Sequence, residues 1–463
     1  MPFIDREDEL RFLAEKWEDP KAQLIVLWGK RRVGKTELVK QFIADKRSVY
    51  FLAESTSEKE QLQRFSQALG RFFEEPLLQT RGFASWEEAF SYLKAKKERF
   101  VLAIDEFPYL IQSNPAITSL FQKGWDEYLS ESNIYLILFG SSITMMENEV
   151  LGYRSPLYGR RSGQWLVEPM SFRAASQFRQ GKPFADRLAH FAVAGGIPAY
   201  WLHLSPGKDI ERNLRDHVLR KGEVLYEEVE FLLRTELREP RYYFALLQAI
   251  AQGKRKLAEI VNATGLGQPL ANKYLGVLAD LRIVEREVPV TEEIPLKSKK
   301  GLYRISDEFC QFWFRFVFPR RGELEMGRID AVAADIVSRL PAYLGGAYEK
   351  VARETLISHV DDFFPFAAIG RWWDRTEEID VVAVNRDHDS ILFCEVKATE
   401  KQVGTDILDA LREKARKVKW GSADRKEYYC LFSRKGFTAG LLERARKDGV
   451  VLFREDQSLL QGE

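Results

Sequence analysis

One octapeptide constrains the first third of this chain more than any other feature. Gly29-Lys30-Arg31-Arg32-Val33-Gly34-Lys35-Thr36 follows the apolar run Leu24-Ile25-Val26-Leu27-Trp28 and precedes a helix-forming stretch at 37–44. Strand, glycine loop and helix are the context in which GxxxxGKT wraps phosphates. Gly29 and Gly34 let backbone N–H groups turn inward, and the helix N-terminus faces the anion. Lys35 would reach the β- and γ-phosphates, and the Thr36 hydroxyl would serve Mg²⁺. The expected cofactors are therefore ATP and Mg²⁺. An ordinary glycine turn would leave the Lys-Thr pair unexplained.

A phosphate cradle needs an acid at the end of a neighbouring strand. Val101-Leu102-Ala103-Ile104-Asp105-Glu106 supplies one. Asp105 is expected to hold Mg²⁺, directly or through water, and Glu106 to polarise the attacking water. The next apolar strand, 134–139, runs into Gly140-Ser141-Ser142. A hydroxyl there could sense the γ-phosphate. The sequence does not separate the two serines, and Ser142 is taken as the candidate against a plain strand-ending turn. Arg160, in Tyr158-Gly159-Arg160-Arg161, is the candidate for a γ-phosphate arginine, in cis or from a neighbouring subunit, against a solvated basic pair.

At 463 residues the chain is too long for one ordinary core. Alternating strands and helices over 1–170 predict a parallel, doubly wound α/β sheet carrying the P-loop ATPase core. Residues 171–240 read as a helical lid. Residues 241–319 read as three helices and a hairpin, the order of a winged helix-turn-helix domain. A boundary is placed at Pro319-Arg320-Arg321-Gly322. Residues 320–463 read as a C-terminal α/β domain whose first helix spans 347–359. Net charge is +1, so a nucleic-acid surface must come from local clustering. The three cysteines, Cys310, Cys394 and Cys430, are odd in number and set among apolar residues, as in buried thiols of a reducing cytoplasm. The absence of an apolar leader core or a spanning run predicts a cytoplasmic protein with no membrane partner.

In the winged-helix segment the third helix carries Asn272 and Lys273, and the hairpin tip carries Lys297, Lys299 and Lys300. Both suit phosphate contacts on DNA, although a solvated loop has the same composition and winged helices beside P-loop domains also serve as lids.

The second chemical motif lies near the other end. Ile379-Asp380 is followed, fifteen residues after the aspartate, by Glu395-Val396-Lys397. Period-2 geometry puts Glu395 and Lys397 on one face of a strand, and a hairpin turn near Asp387 would bring Asp380 beside them. Two carboxylates to hold Mg²⁺ and a lysine to orient water are the parts of a metal-dependent nuclease. Glu349, on the preceding helix, is a candidate further ligand. Arg412, Arg416, Lys417 and Lys419 could track a phosphate backbone. A buried structural ion pair, or a catalytically silent nuclease-like fold, would use the same residues.

With these motifs in place, the chain resembles a known group. Phe3-Ile4-Asp5-Arg6-Glu7 resembles the adenine-side motif of AAA+-related STAND and origin-recognition-type ATPases. Leu157-Tyr158-Gly159-Arg160 before Gln164-Trp165-Leu166-Val167-Glu168-Pro169-Met170-Ser171 resembles their arginine-bearing segment. Gly195-Gly196-Ile197-Pro198 resembles the GxP signature of STAND lids, which implies that Pro198 touches the nucleotide. The whole order resembles the archaeal/bacterial ATPase family in which a P-loop domain is followed by a winged helix and a C-terminal domain related to PD-(D/E)xK nucleases. Here Ile379 stands where that pattern names proline. The resemblance implies an ATP-controlled, DNA-acting protein with endonuclease chemistry at Asp380, Glu395 and Lys397. It also implies nucleotide-dependent switching, with homo-oligomers possible. The alternative is a nucleotide-switched binding or assembly protein whose nuclease-like domain is silent.

Overall fold

A computed structural model describes residues 3–237 and 239–459. The chain divides into two compact units: Met1–Met170 with Ile197–Ala199, and Ser171–Gly196 with Tyr200–Glu463.

The first unit is built on a five-stranded sheet. Its strands are β1 (Gln23–Trp28), β2 (Ser48–Leu52), β3 (Phe100–Asp105), β4 (Ile134–Gly140) and β5 (Gly163–Leu166), in the order β2-β3-β4-β1-β5. Every pairing is parallel. β1, β3 and β4 are buried along their whole length, which is why they read as unbroken apolar runs. β2 and β5 are only partly buried, and their mixed composition hides them in the sequence. Val26, Leu102, Ile104, Leu136 and Leu138 pack with Phe65, Trp86, Phe90 and Phe121 from the flanking helices into one core. This order leaves the C-terminal ends of β1, β3 and β4 side by side, where open parallel sheets place ligands.

In the second unit, helices Pro240–Ala251, Leu257–Thr264 and Gln268–Asp280 precede an antiparallel pair, β6 (Val284–Glu287) and β7 (Leu302–Ile305). The connection between these strands is tied to the next sheet. The Val290 N–H donates to the Arg371 carbonyl at 2.9 Å, and the Trp373 indole N–H donates to the Lys300 carbonyl at 3.2 Å. The Lys300 ammonium is held by Glu292 at 2.8 Å. Of the three tip lysines, this one is therefore committed to the protein itself. Asn272 and Lys273 are exposed.

Helix Ile329–Ser358 runs for 30 residues, straight through Pro341. The sequence-based helix of 347–359 is too short, because proline disfavours the helix interior and Pro341 stands within this one. Val332, Ile336, Leu340, Leu344, Tyr348, Val351 and Thr355 keep one buried stripe on both sides of it. Pro341 lies on the exposed face, where a missing N–H is least costly. The six strands after this helix are β8 (Ala368–Trp373), β9 (Glu378–Asn385), β10 (Ser390–Lys397), β11 (Lys426–Ser433), β12 (Val451–Arg454) and β13 (Gln457–Ser458). They lie in sequence order across one mixed sheet. β8, β9 and β10 are antiparallel, and β10, β11 and β12 are parallel. Helix Thr405–Arg416 covers this sheet through Leu408, Leu411 and Ala415. The three cysteines are buried free thiols. Among the described residues, no helix is long and apolar enough to cross a membrane.

Candidate functional sites

The glycine loop links β1 to helix Lys35–Ile43. Gly29 passes so close to the neighbouring chain that a Cβ would collide with the Val167 carbonyl. Gly34 has φ +99°, which L side chains rarely adopt. Between them Arg32 also takes a left-handed conformation, φ 63°. The buried guanidinium of Arg6 donates to the Val33 carbonyl at 2.9 Å and to Glu9 at 2.9 Å, pinning the loop from the N-terminal motif. The Lys35 ammonium lies inside the loop and donates to the Gly29 and Lys30 carbonyls, each at 2.9 Å. Pro198 lies beside Gly34, with its Cγ 4.0 Å from where a Cβ would stand.

At the end of β3, Asp105 accepts from the Thr36 hydroxyl at 2.9 Å, the Tyr50 hydroxyl at 2.5 Å and the Glu106 N–H at 2.8 Å. Burial raises its pKa above the usual carboxylate value, against the lowering effect of the Tyr50 and Thr36 hydrogen bonds. Tyr50 is itself pushed upward, first by burial and then by Asp105. The Thr36–Asp105 contact joins the two oxygens that would share a magnesium ion, so this donor set fits Mg²⁺. Glu106 is held in the left-handed region at φ 50°. A non-glycine residue there costs on the order of 1–3 kcal/mol, and such strain collects at functional sites. Its carboxylate accepts from the Ser141 hydroxyl at 2.5 Å and the Ser141 N–H at 3.2 Å.

The serine that reaches this acid is thus Ser141. Ser142, the sequence candidate, occupies the turn before helix Ile143–Met145. Arg160 is brought to Asp126, in a fork of 3.2 and 3.1 Å, and not to the Asp105–Glu106 cluster. Tyr50 is not singled out by the sequence, and Arg6 stands there only within the adenine-side motif, not as a brace of the loop. Tyr50 sits on the partly buried strand β2, flanked by the buried apolar Val49 and Phe51, and that alternation is the signal that could have found it.

The second cluster lies on β9 and β10. The register that pairs Cys394 with Val381 brings Asp380 level with Glu395. Asp380 accepts the Val396 N–H at 2.8 Å. Burial, then the charges of Glu395 and Glu349, raise the Asp380 pKa to about 7. Glu395 is buried and clamped by two ammonium groups, Lys397 at 2.6 Å and Lys414 at 3.1 Å to each oxygen. Burial pulls the Lys397 pKa down, but the Glu395 hydrogen bond and the nearby carboxylates carry it above its ordinary value. Glu349 is turned toward Arg371, 3.4 Å away. Among the described residues, no three His, Cys, Asp or Glu side chains gather as a metal cluster. Asp380 and Glu395 still offer two carboxylates, which is enough for a magnesium ion that keeps several waters.

Lys414 went unassigned in the sequence, although it flanks the buried stripe Leu411–Ala415 of its helix. The basic residues chosen there instead have other partners. Arg412 binds Asp448 at 2.9 Å, Arg416 binds Glu413 at 2.6 Å and Lys417 binds Glu377 at 2.6 Å, while Lys419 is exposed.

A parallel sheet in this order, with a glycine loop closed on its lysine and a strand-end acid on the loop threonine, defines a P-loop ATPase. An ATPase domain predominantly from Archaea matches residues 3–191, and a region described as archaeal and bacterial proteins of unknown function matches 313–415. The uncharacterized protein MJECL04 of Methanocaldococcus jannaschii is 36% identical over 438 residues, covering 94% of this chain and 96% of that one. The chain belongs to that protein's family, and itself carries the archaeal-type ATPase domain ahead of the second region. The uncharacterized ATP-binding protein MJ0423 of the same organism is 53% identical over 45 residues, 10% of this chain and 76% of that one. Among solved structures, the Walker-type ATPase PABY2304 of Pyrococcus abyssi is similar in fold: TM-score 0.52, 23% identity, 68% of this chain and 96% of that one.

Proposed function

We propose that this ATPase is a DNA-acting protein in which ATP binding and hydrolysis control Mg²⁺-dependent phosphodiester cleavage by a C-terminal PD-(D/E)xK-like domain. The observation that carries the nuclease reading is the convergence of Asp380, Glu395 and Lys397 on one face of β9 and β10. Asp380 and Glu395 would hold the ion, whose chemistry is to acidify water and neutralise the phosphate. Lys397 would orient the attacking water once released from Glu395, and Glu349 would join only by leaving Arg371.

In the ATPase unit, Lys35 and the loop N–H groups would bind the phosphates. Thr36 and Asp105 would hold Mg²⁺, Glu106 would orient water, and Pro198 would contact the nucleotide as in STAND lids. Arg160 would act across a homo-oligomer after leaving Asp126, which predicts an ATPase rate per chain that rises with protein concentration in wild type but not in Arg160→Ala. We assign residues 171–240 to a helical lid, 241–319 to a winged helix with Asn272 and Lys273 toward DNA, and 320–463 to the nuclease-like domain.

A second reading, a switch with a silent nuclease-like domain, is favoured by one specific observation. Both oxygens of Glu395 are already occupied by Lys414. The deciding experiment incubates the purified chain with linear, circular and single-stranded DNA, with Mg²⁺ or Mn²⁺, with and without ATP. Cleavage lost in Asp380→Ala and Lys397→Ala establishes the nuclease, and a Lys35→Ala lane shows whether ATP gates it. No cleavage on any substrate, together with ATP-dependent DNA retention, selects the switch.

A further inference from the structure

A cavity of about 700 Å³ opens in the second unit, bordering the β9–β10 cluster through Glu349 and Arg371. Its wall is assembled from the end of helix Pro240–Ala251, strand β7, the 308–317 segment and the middle of helix Ile329–Ser358. The volume is that of a small-molecule site. Six cationic side chains line it: Arg255, Arg304, Arg315, Arg339, Lys350 and Arg371. Only two carboxylates, Glu308 and Glu349, line it with them.

Several of the six are matched by acids. Lys350 pairs with Glu308, Arg255 with Glu287 at 2.7 Å, and Arg304 with Glu285 and, at 3.3 Å, with Glu287. Arg371 has Glu378 at 3.1 Å, while its Nε–H has Glu349 only at 3.4 Å and makes no hydrogen bond. Two arginines remain under-used. Arg315 donates to a backbone carbonyl, that of Ala251, at 3.2 Å. Arg339 has Asp335 at 3.5 Å, but that carboxylate is held more closely by Arg320, at 2.6 Å. A guanidinium carries five N–H donors in a rigid fork suited to phosphate, so these two retain donors for a ligand. Next to them are two aromatic rings set edge to face. Arg339 lies over the Phe316 ring at 5.3 Å, and Tyr343 meets Phe316 edge-on at 5.1 Å.

We propose that this cavity is a second nucleotide-class site, binding a small phosphate ester. Its phosphates meet Arg315 and Arg339, and its base lies against the Tyr343 ring. Forked donors beside aromatic rings match the two halves of such a ligand. Arg315, which has only a carbonyl partner, and Arg339, whose carboxylate is shared with Arg320, call for an anionic ligand. The site is separate in sequence and chemistry from the glycine loop, and the proposal does not depend on nuclease activity.

The test uses the full-length chain carrying Lys35→Ala, so that the glycine loop contributes little. Mant-ADP and inorganic tripolyphosphate are titrated at fixed salt, by fluorescence and by calorimetry. One equivalent of each probe should bind per chain. Arg315→Ala should weaken binding at least tenfold, and the half-exposed Arg339→Gln several-fold, with an unchanged melting temperature in the latter. In the wild-type background, Arg339→Gln should leave ATP hydrolysis unchanged. The proposal is overturned if neither probe saturates the Lys35→Ala chain, or if both arginine variants bind as tightly as their parent. It is equally overturned if only duplex DNA binds in an arginine-dependent way, which would make the cavity part of a nucleic-acid surface.

Discussion

The two clusters use similar residue types in opposite ways. At the glycine loop, the Lys35 ammonium donates to two backbone carbonyls, and among the described residues the acid Asp105 accepts from hydroxyl and N–H donors. On β9 and β10, lysine and acid neutralise each other, since Glu395 is held by Lys397 and Lys414. The first arrangement leaves charge complementarity for an incoming phosphate and its cation. The second has already satisfied its own charges, so a metal ion entering it must displace ammonium groups. Residue identity alone therefore does not tell a binding site from an internally balanced one; the partner of each charge does.

The largest expected effect comes from removing the loop lysine. Lys35→Ala should lower steady-state phosphate release at least about a hundredfold, since a cation poised at developing charge contributes that much. Near-normal hydrolysis in this variant would break the first half of the comparison. Next, Glu106→Gln should cost about a hundredfold in hydrolysis while mant-ATP affinity stays within about threefold, the signature of an interaction made chiefly during reaction. An equal loss of affinity would reassign Glu106 to nucleotide binding.

What the sequence disclosed divides along the same line. The glycine loop and the Asp105–Glu106 strand end were legible because each is one contiguous segment whose chemistry follows from local backbone geometry. The five-strand parallel sheet was legible through β1, β3 and β4, whose complete burial makes them continuous apolar runs. β2 and β5 were not, because a half-buried strand carries a mixed pattern, and Tyr50 was lost with β2. Asp380 and Glu395 were paired by hairpin arithmetic, which the register supports. Lys414 could not follow from strand spacing, because it arrives from a helix whose rotation over the sheet is a packing outcome. Pro341 misled for a related reason: proline disfavours helix locally, but a buried stripe continuing on both sides outweighs one lost hydrogen bond on an exposed face.

The balanced site should also report on pH. Burial and the neighbouring carboxylates hold the Asp380 pKa up at about 7 in the folded chain, well above the ordinary aspartate value. The folded state therefore holds this proton to higher pH than the unfolded chain. Its contribution to stability falls as pH rises between about 4 and 7 and is flat beyond. Asp380→Asn removes that loss. By urea denaturation in the presence of a chelator, the variant should be more stable than wild type at pH 8 by on the order of 2–4 kcal/mol, with the gap closing toward pH 4. A constant difference across the range would mean that the carboxyl is not protonated by its surroundings, and the contrast between the two clusters would weaken accordingly.

The smallest effect separates two adjacent serines. Ser141 gives both its hydroxyl and its N–H to Glu106, whereas Ser142 starts the next helical turn. A residue that orients the carboxylate without touching the reacting atoms should matter through Glu106 alone. Ser141→Ala should therefore lower hydrolysis about tenfold, the value of a charge-assisted hydrogen bond, and its cost should largely vanish in a Glu106→Gln background. Ser142→Ala should change neither. Were Ser142 the sensor of the γ-phosphate, the order would reverse: its alanine variant would lose discrimination between ATP and ADP, and the loss would persist in Glu106→Gln. The double-mutant comparison thus asks whether the acid at the end of β3 is positioned by its neighbour or acts alone. A coupling near zero would show that the left-handed backbone of Glu106 is sufficient to aim it.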